Sequence, residues 1–398
     1  MLIKKCNKVT VFIIMVQAIL LSRYFTVFFT ISNPVITQIY SIASIVSAGI
    51  LIFTFLVTRK NYIFSNEAIT WMIFVYIGVY TLITAINGGS IYHVLARSYP
   101  VLGTSCLISK YTKKHSEELI AAYAIISMIL LTIQFFCIAF WDLSNYSLFA
   151  PKNQYGIFLA ITFVFIAMYI YRIYDCKKQK RLILLTLCVI SFCALKMSSA
   201  SALISCICLG ALLIPPISAI ICKLSPTKIF VGYFVVWTSL VVFRINEWVG
   251  ELLLSFFNKD VTLTGRTILW DIALESIKSN FLFGQGVKET TNVIVHTSKL
   301  ITNEYVTTSY SAHNQMLQEL YESGIVMPAM LFLCFVAVSA YHRGKKYYKE
   351  GKYLSITLIV VLINMLSETP GNYAVFLLLI FIFYLERFHQ REKEVANG

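Results

Sequence analysis

Charged side chains are scarce. Asp, Glu, Lys and Arg make up 13% of the 398 residues, against roughly 25% in an ordinary soluble domain. With 58% hydrophobic residues and a mean hydropathy of +0.75, this scarcity excludes an ordinary soluble protein and intrinsic disorder. Metal-ligand spacing is also missing. Of the ten cysteines, Cys106, Cys137, Cys188, Cys193, Cys206, Cys208 and Cys334 lie inside apolar runs, and none falls between Asn246 and Tyr310. They read as small hydrophobes, which excludes a disulfide scaffold. No repeat of 20–50 residues and no low-complexity segment is present. Acidic residues are outnumbered by basic ones, 19 to 33, giving a net charge of +14. That excess would suit nucleic acid, but its distribution excludes a nucleic-acid-binding domain and points to a membrane.

What is present is a series of long apolar runs. A bilayer core needs about 20 apolar residues per helix. About twelve such runs occur, at 9–30, 35–57, 68–86, 92–109, 118–140, 154–174, 182–197, 199–222, 227–244, 321–341, 353–368 and 372–386. The first follows Lys4, Lys5 and Lys8, has no small-residue cleavage site and is expected to be a retained span. The expected fold class is an all-α polytopic membrane protein with about twelve transmembrane helices and one large outer loop. Residues 1–244 hold spans one to nine, 245–320 the loop, and 321–398 the last three spans and a tail.

Lys and Arg orient these spans. With the N-terminus inside, the even-numbered connections and both ends carry 23 of the 33 basic residues, including Arg172, Lys177, Lys178, Lys180 and Arg181. The outer segments carry eight: Lys152, Lys196, Arg244, Lys259, Arg266, Lys278, Lys288 and Lys299. Arg23 and Arg97 lie within spans. Both termini are therefore expected in the cytoplasm.

The long outer loop carries the chemistry-bearing motifs, as long structured loops usually do. Thr264-Gly265-Arg266-Thr267 opens a helical pattern with Thr264 as N-cap. Leu269, Trp270, Ala273, Leu274 and Ile277 share one face; Asp271, Glu275 and Lys278 share another. Arg266 in the first turn either faces an anion together with exposed amides or anchors the helix to lipid headgroups. Phe283-Gly284-Gln285-Gly286 reads as a tight turn or close backbone approach, without the strand or third glycine of a dinucleotide site. At Ser311-Ala312-His313-Asn314, Ser311 or Asn314 caps the next helix. The helix N-terminus disfavours positive charge on His313 and suits it to accept a proton. The plainer reading is an interfacial His bonded to a carbonyl. His93 and His296, also outside, lack such a setting.

Charges in or beside spans are costly and often functional. These are Arg23, Arg97, Lys196, Arg244, Glu247, Glu251 and Glu368. Arg97 is either a structural partner of a carboxylate such as Glu368 or a phosphate ligand. Arg23 reads as a snorkelling residue. Pro151-Lys152-Asn153-Gln154-Tyr155-Gly156 is either a turn with a cap or a sugar- or phosphate-binding segment.

Together these segments resemble the bacterial O-antigen polymerase and O-antigen ligase family. The resemblance rests on Gly265-Arg266-Thr267-x-x-Trp270, Gly284-x-Gly286 and Ala312-His313-Asn314 with Gly324-Ile325 beyond, and is most specific over 262–335. Lys152-Asn153-x-x-Gly156 resembles a turn these proteins carry on an earlier outer loop. Ser198-Ser199-Ala200-Ser201 resembles a segment reading Ser-Arg-Gly in many members; Ala200 stands where that arginine is expected, and Lys196, Arg97 or Arg244 would have to replace its charge.

The resemblance implies a metal-independent glycosyltransferase without cofactor in the bacterial plasma membrane, using a glycan on undecaprenyl diphosphate. It assigns catalysis to His313 and Arg266, with Arg97, Lys152, Asn153, Lys196, Arg244 and Asn314 as candidates for binding substrate and diphosphate. Absence of the Ser-Arg pattern and the sequence Ala312-His313-Asn314-Gln315 favour a polymerase of repeat units in O-antigen or capsule synthesis over a ligase. Expected partners are the lipid-linked oligosaccharide, membrane lipid and a chain-length regulator, with no nucleic acid. A flippase for the same lipid-linked units is the alternative from another class. It has no need of the Arg266–His313 pair, and repeat symmetry is expected of many transporters.

Overall fold

The computed structural model describes residues 8–20, 34–58, 67–112, 114–140, 152–197, 199–245, 266–288, 294–299, 305–342 and 351–396. Arg23, Glu247, Glu251, Lys259, Thr264 and Gly265 lie outside them.

The described residues are overwhelmingly helical. The first helices are α1 (Lys8–Leu20), α2 (Pro34–Thr58), α3 (Ala68–Ile86), α4 (Ile91–Tyr111) and α5 (Ser116–Phe140). After a 3-10 turn at Lys152–Gln154 come α6 (Tyr155–Ile173), α7 (Cys176–Lys196), α8 (Ala200–Leu212), α9 (Pro215–Ile221) and α10 (Pro226–Val241). The remainder comprises α11 (Arg266–Ser279), strands β1 (Ile294–Lys299) and β2 (Tyr305–Tyr310), α12 (Gln315–Ser323), α13 (Val326–Tyr341), α14 (Gly351–Met365) and α15 (Tyr373–Ala396).

Each apolar run has a helical counterpart, but among the described residues three helices, α3, α5 and α6, are long and apolar enough to cross a membrane. The α8–α9 pair makes a fourth if counted as one span. The run at 199–222 is not one straight helix. It bends by 94°, where Pro215 and Pro216 cannot continue the hydrogen-bond ladder of α8 and instead open α9. The run at 321–341 is likewise divided, because Gly324 at φ 61° ends α12 before α13 begins.

The all-α expectation is borne out, with one small hairpin beside the helices. β1 and β2 pair antiparallel, with Ile294 opposite Tyr310 and Lys299 opposite Tyr305. Their β-branched and aromatic residues favour a pleated ribbon over a helix.

Helices α6, α14 and α15 form the centre of the bundle. Tyr155, Phe163, Val164 and Met168 of α6 and Leu378, Leu379 and Phe381 of α15 are fully buried. At the rim, Ile39, Ile42, Ile50 and Phe53 of α2 and Leu184 and Leu185 of α7 are exposed apolar side chains, as expected of surfaces facing hydrocarbon rather than water. Hydrogen bonds cross between helices. Gln17 donates to Thr104 Oγ1 (3.3 Å) and the Tyr373 hydroxyl (3.1 Å), and Ser105 donates to Thr70 (2.8 Å). Such bonds join helices where the apolar surroundings supply no hydrophobic drive.

Candidate functional site

The site is built where α11, the start of α12 and the 366–372 turn between α14 and α15 meet. α11 buries Trp270, Ala273 and Ile277, with Leu269 and Leu274 partly buried, and exposes Asp271, Glu275 and Lys278. This is the division that helical spacing predicts. The helix is moored at Trp270, whose indole N–H donates to the Ala312 carbonyl (3.0 Å). Arg244 sits 5.5 Å from the Trp270 ring centroid, donates to the Thr267 carbonyl (3.1 Å) and pairs with Asp271.

Asn314, one of the two caps the sequence offers, caps α12. Asn314 Oδ1 accepts from the Leu317 amide (3.0 Å) and from Trp237 Nε1 (2.8 Å). Its Nδ2 donates to the Leu366 carbonyl (2.8 Å). The side chain is fully buried, with both polar atoms engaged by protein.

Glu368 links the two residues singled out in the loop. Arg266 Nη2 donates to Glu368 Oε1 at 2.7 Å, and His313 Nδ1 stands 3.9 Å from Glu368 Oε2. The carboxylate is 5% exposed, Arg266 25% and His313 32%. The buried carboxylate is thus bracketed by two groups that reach solvent. Among the described residues, two non-glycine residues have positive φ: Arg244 at 53° and His313 at 46°. Both belong to this assembly, and such backbone strain clusters at functional sites.

The 366–372 turn is the hub. Besides Glu368 and the Leu366 carbonyl, its Thr369 carbonyl accepts from Gln154 (3.4 Å), and its Gly371 amide donates to Gln315 Oε1 (2.8 Å). The bond from Gln154 draws the Lys152–Gln154 turn to the site's edge. Asn153 is exposed there, and the Lys152 side chain lies outside the described residues. Asn372 donates to the Tyr76 hydroxyl (2.9 Å) and to Glu319.

Arg97 pairs with Glu322 (3.1 Å) rather than Glu368. Glu322 also accepts from Tyr80 and from Gln318 (3.0 Å). It lies near the far end of α12 from His313, seven residues or about 10 Å along the helix from Gln315 at 1.5 Å per residue. Arg97 therefore answers a second buried carboxylate. Lys196 is an exposed last-turn residue of α7 that makes no hydrogen bond or ion pair with this cluster among the described residues. Ala200 begins α8 behind its Ser199 cap.

Glu319 is a third buried carboxylate, 3% exposed. Oε1 accepts from Gln315 (3.0 Å) and Asn372, while Oε2 has no hydrogen-bond partner among the described residues. Burial pushes its carboxyl up to about 7; hydrogen bonds from Gln315 and Asn372 oppose the shift, and the charge of Glu322 adds to it.

Phe283-Gly284-Gln285-Gly286 serves backbone packing. The Gln285 and Gly286 amides donate to the Tyr321 and Glu322 carbonyls (2.9 and 2.8 Å), and Ile325 N donates to the Phe281 carbonyl (2.9 Å). A Cβ on Gly324 would overlap the Leu282 carbonyl group, and one on Gly284 the Ser323 amide. Ser90 N donates to the Val287 carbonyl (2.6 Å), tying this segment to the α3–α4 turn.

Sequence reasoning noted Glu368 but missed its partners. Its only local signal is a carboxylate in the turn Ser367-Glu368-Thr369-Pro370-Gly371-Asn372. No group of three or more His, Cys, Asp or Glu suited to a metal occurs among the described residues. Chemically, the arrangement places an imidazole within ion-pair distance of a buried carboxylate that also binds a guanidinium, and His313 Nδ1 makes no hydrogen bond among the described residues. Scans against protein-family models, curated proteins and solved structures find no match for this chain.

Proposed function

We propose that this chain is a polytopic membrane glycosyltransferase that polymerises undecaprenyl-diphosphate-linked repeat units into a surface polysaccharide. The observation that carries the reading is the Arg266–Glu368–His313 line, with separations of 2.7 and 3.9 Å. Support also comes from the resemblance over 262–335 and from the distribution of Lys and Arg. In this proposal the chain crosses the plasma membrane about twelve times with both termini cytoplasmic, and the 245–320 segment faces outward.

The reaction needs two things. An acceptor sugar hydroxyl must lose its proton, and a lipid diphosphate must leave the anomeric carbon. His313 takes the proton; Glu368, on the Nδ1 side, stabilises the resulting imidazolium and leaves Nε2 for the acceptor. Arg266 stabilises charge growing on the diphosphate with the guanidinium edge that Glu368 does not use. The acceptor oxygen forms the new bond as the anomeric carbon–phosphate oxygen bond breaks, so the linkage inverts. A product linkage with the donor's configuration would overturn single-step inversion.

The test is the size profile of lipid-linked and surface glycan in cells lacking the chain, complemented with wild type, His313→Ala or Arg266→Ala. A polymerase gives a ladder with wild type and single repeats with either variant. Long polymer left on the lipid carrier identifies a ligase. A full ladder from both variants removes the catalytic assignment. Topology is tested with native Cys176, exposed at the α6–α7 turn, in a chain whose other cysteines are replaced. An impermeant thiol reagent should miss it in intact cells and label a cysteine placed at Asn292.

A further inference from the structure

We infer that the groove between α5, α6 and α7 is a binding site for one anionic phospholipid, with an acyl chain in the groove and its headgroup on Lys178 and Arg181. The groove has a volume of about 310 Å³ and is open to one side. That is about twice the ~150 Å³ apolar cavity that takes up benzene. Leu182, Leu185, Thr186 and Val189 of α7 face Phe135 of α5 and Ile170 of α6 across it. The polar atom of Thr186 is turned back to the Leu182 carbonyl (2.8 Å), which leaves its methyl group to line an apolar trough.

The α7 residues follow the i, i+3, i+4, i+7 spacing of one helix face. Continued one turn towards the N-terminus, the same face carries Lys178, four residues before Leu182, and Arg181, four before Leu185. Both are exposed, as are Lys177 and Lys180. Tyr174, the C-cap of α6, lines the groove at this end, where an aromatic ring with a polar tip suits the headgroup level. The one carboxylate of this turn, Asp175, accepts from the Lys178 amide (3.0 Å) as the cap of α7. Arg172 is directed elsewhere, donating to the Phe388 carbonyl (3.3 Å). The apolar trough therefore ends in a cluster of cations, which selects an anionic headgroup over a zwitterionic one. Diffuse attraction to a charged membrane surface would need the cations but not the trough.

The experiment uses the purified full chain in neutral detergent, titrated with dioleoyl phosphatidylglycerol or dioleoyl phosphatidylcholine while the unfolding midpoint is followed. Phosphatidylglycerol should raise the midpoint saturably and phosphatidylcholine should not. Lys178→Gln with Arg181→Gln should weaken the apparent affinity at least tenfold. Val189→Phe, which fills the trough and leaves every cation in place, should do the same. If Val189→Phe gives no cooperative transition, Leu185→Asn at the exposed rim replaces it, with the same expectation. Equal responses to the two lipids in wild type would overturn the inference. So would a phosphatidylglycerol response that survives the charge variant, or one that survives filling of the trough.

Discussion

Trp270 and Ala312 are joined by a 3.0 Å hydrogen bond from indole to carbonyl, and this bond sets Arg266 and His313 in register. Arg266 begins the helix that Trp270 moors, and His313 follows Ala312 directly. Trp270→Phe keeps most of the buried area and removes the donor, leaving a buried carbonyl unpaired. The expected loss is about 1–3 kcal/mol, read as a lower unfolding midpoint in detergent. A midpoint equal to wild type would mean that the bond does not fix the register.

Glu368→Gln keeps the shape of the side chain and an acceptor for Arg266 but removes the charge beside His313. Under the proposed mechanism the initial rate of polymer formation falls about 10²-fold, with the protein still folded in the membrane. Measured with lipid-linked repeat units and purified chain, an unchanged rate would remove Glu368 from the mechanism.

Gly324→Ala and Gly210→Ala should act in opposite directions. At Gly324, φ is 61° and a Cβ would meet the Leu282 backbone. With ψ at −159° this backbone region is essentially reserved for glycine and costs an alanine about 1–3 kcal/mol, and the overlap adds to it, so yield and midpoint should both fall. At Gly210, inside α8, a Cβ meets nothing within 4 Å. Alanine there should stabilise the chain by up to about 1 kcal/mol. Similar behaviour of the two variants would contradict the backbone crossing at Gly284 and Gly324.

Glu319 makes stability depend on pH. Its folded carboxyl titrates near 7 against an ordinary value of 4.5, so between those values the folded state holds a proton that the unfolded state has released. Stability is then fully present below pH 4.5, falls as pH rises towards 7, and levels off above it. The groups acting on this carboxyl are Gln315, Asn372 and Glu322. Unfolding midpoints between pH 5 and 8 should fall in wild type, while Glu319→Gln should flatten that part of the profile. A variant with the wild-type slope would show that another group carries it.

Much of this arrangement was legible in the sequence, for a local reason. Helix faces and caps depend on residues three or four apart, so the buried face of α11 follows from spacing, and the cap of α12 was narrowed to Ser311 or Asn314. The β1–β2 hairpin was legible in principle, since Tyr305-Val306-Thr307-Thr308 has the residue types of a strand. Glu368 was not legible as the hub. Its bond to Arg266 spans 102 residues and its 3.9 Å approach to His313 spans 55, and no local period encodes such pairings. For the same reason the sequence left Arg97 as either a carboxylate partner or a phosphate ligand, and did not reveal that it pairs with Glu322 rather than Glu368. The glycines at 284 and 286 signalled a tight turn or a close backbone approach, but the partner segment, the end of α12 and the Gly324–Ile325 link, emerges only in three dimensions.

Asn314 has a consequence for how the proposed reaction would proceed. Its side chain is bonded to Trp237, to the Leu317 amide and to the Leu366 carbonyl, so the residue next to His313 is held by three separate parts of the fold. The backbone beside the imidazole is thereby anchored, so the proposed base keeps its place in the fold while substrate comes and goes. Chain growth would then be paced by delivery, as two lipid-tethered glycans drift in the plane of the bilayer until one presents its hydroxyl to a stationary base.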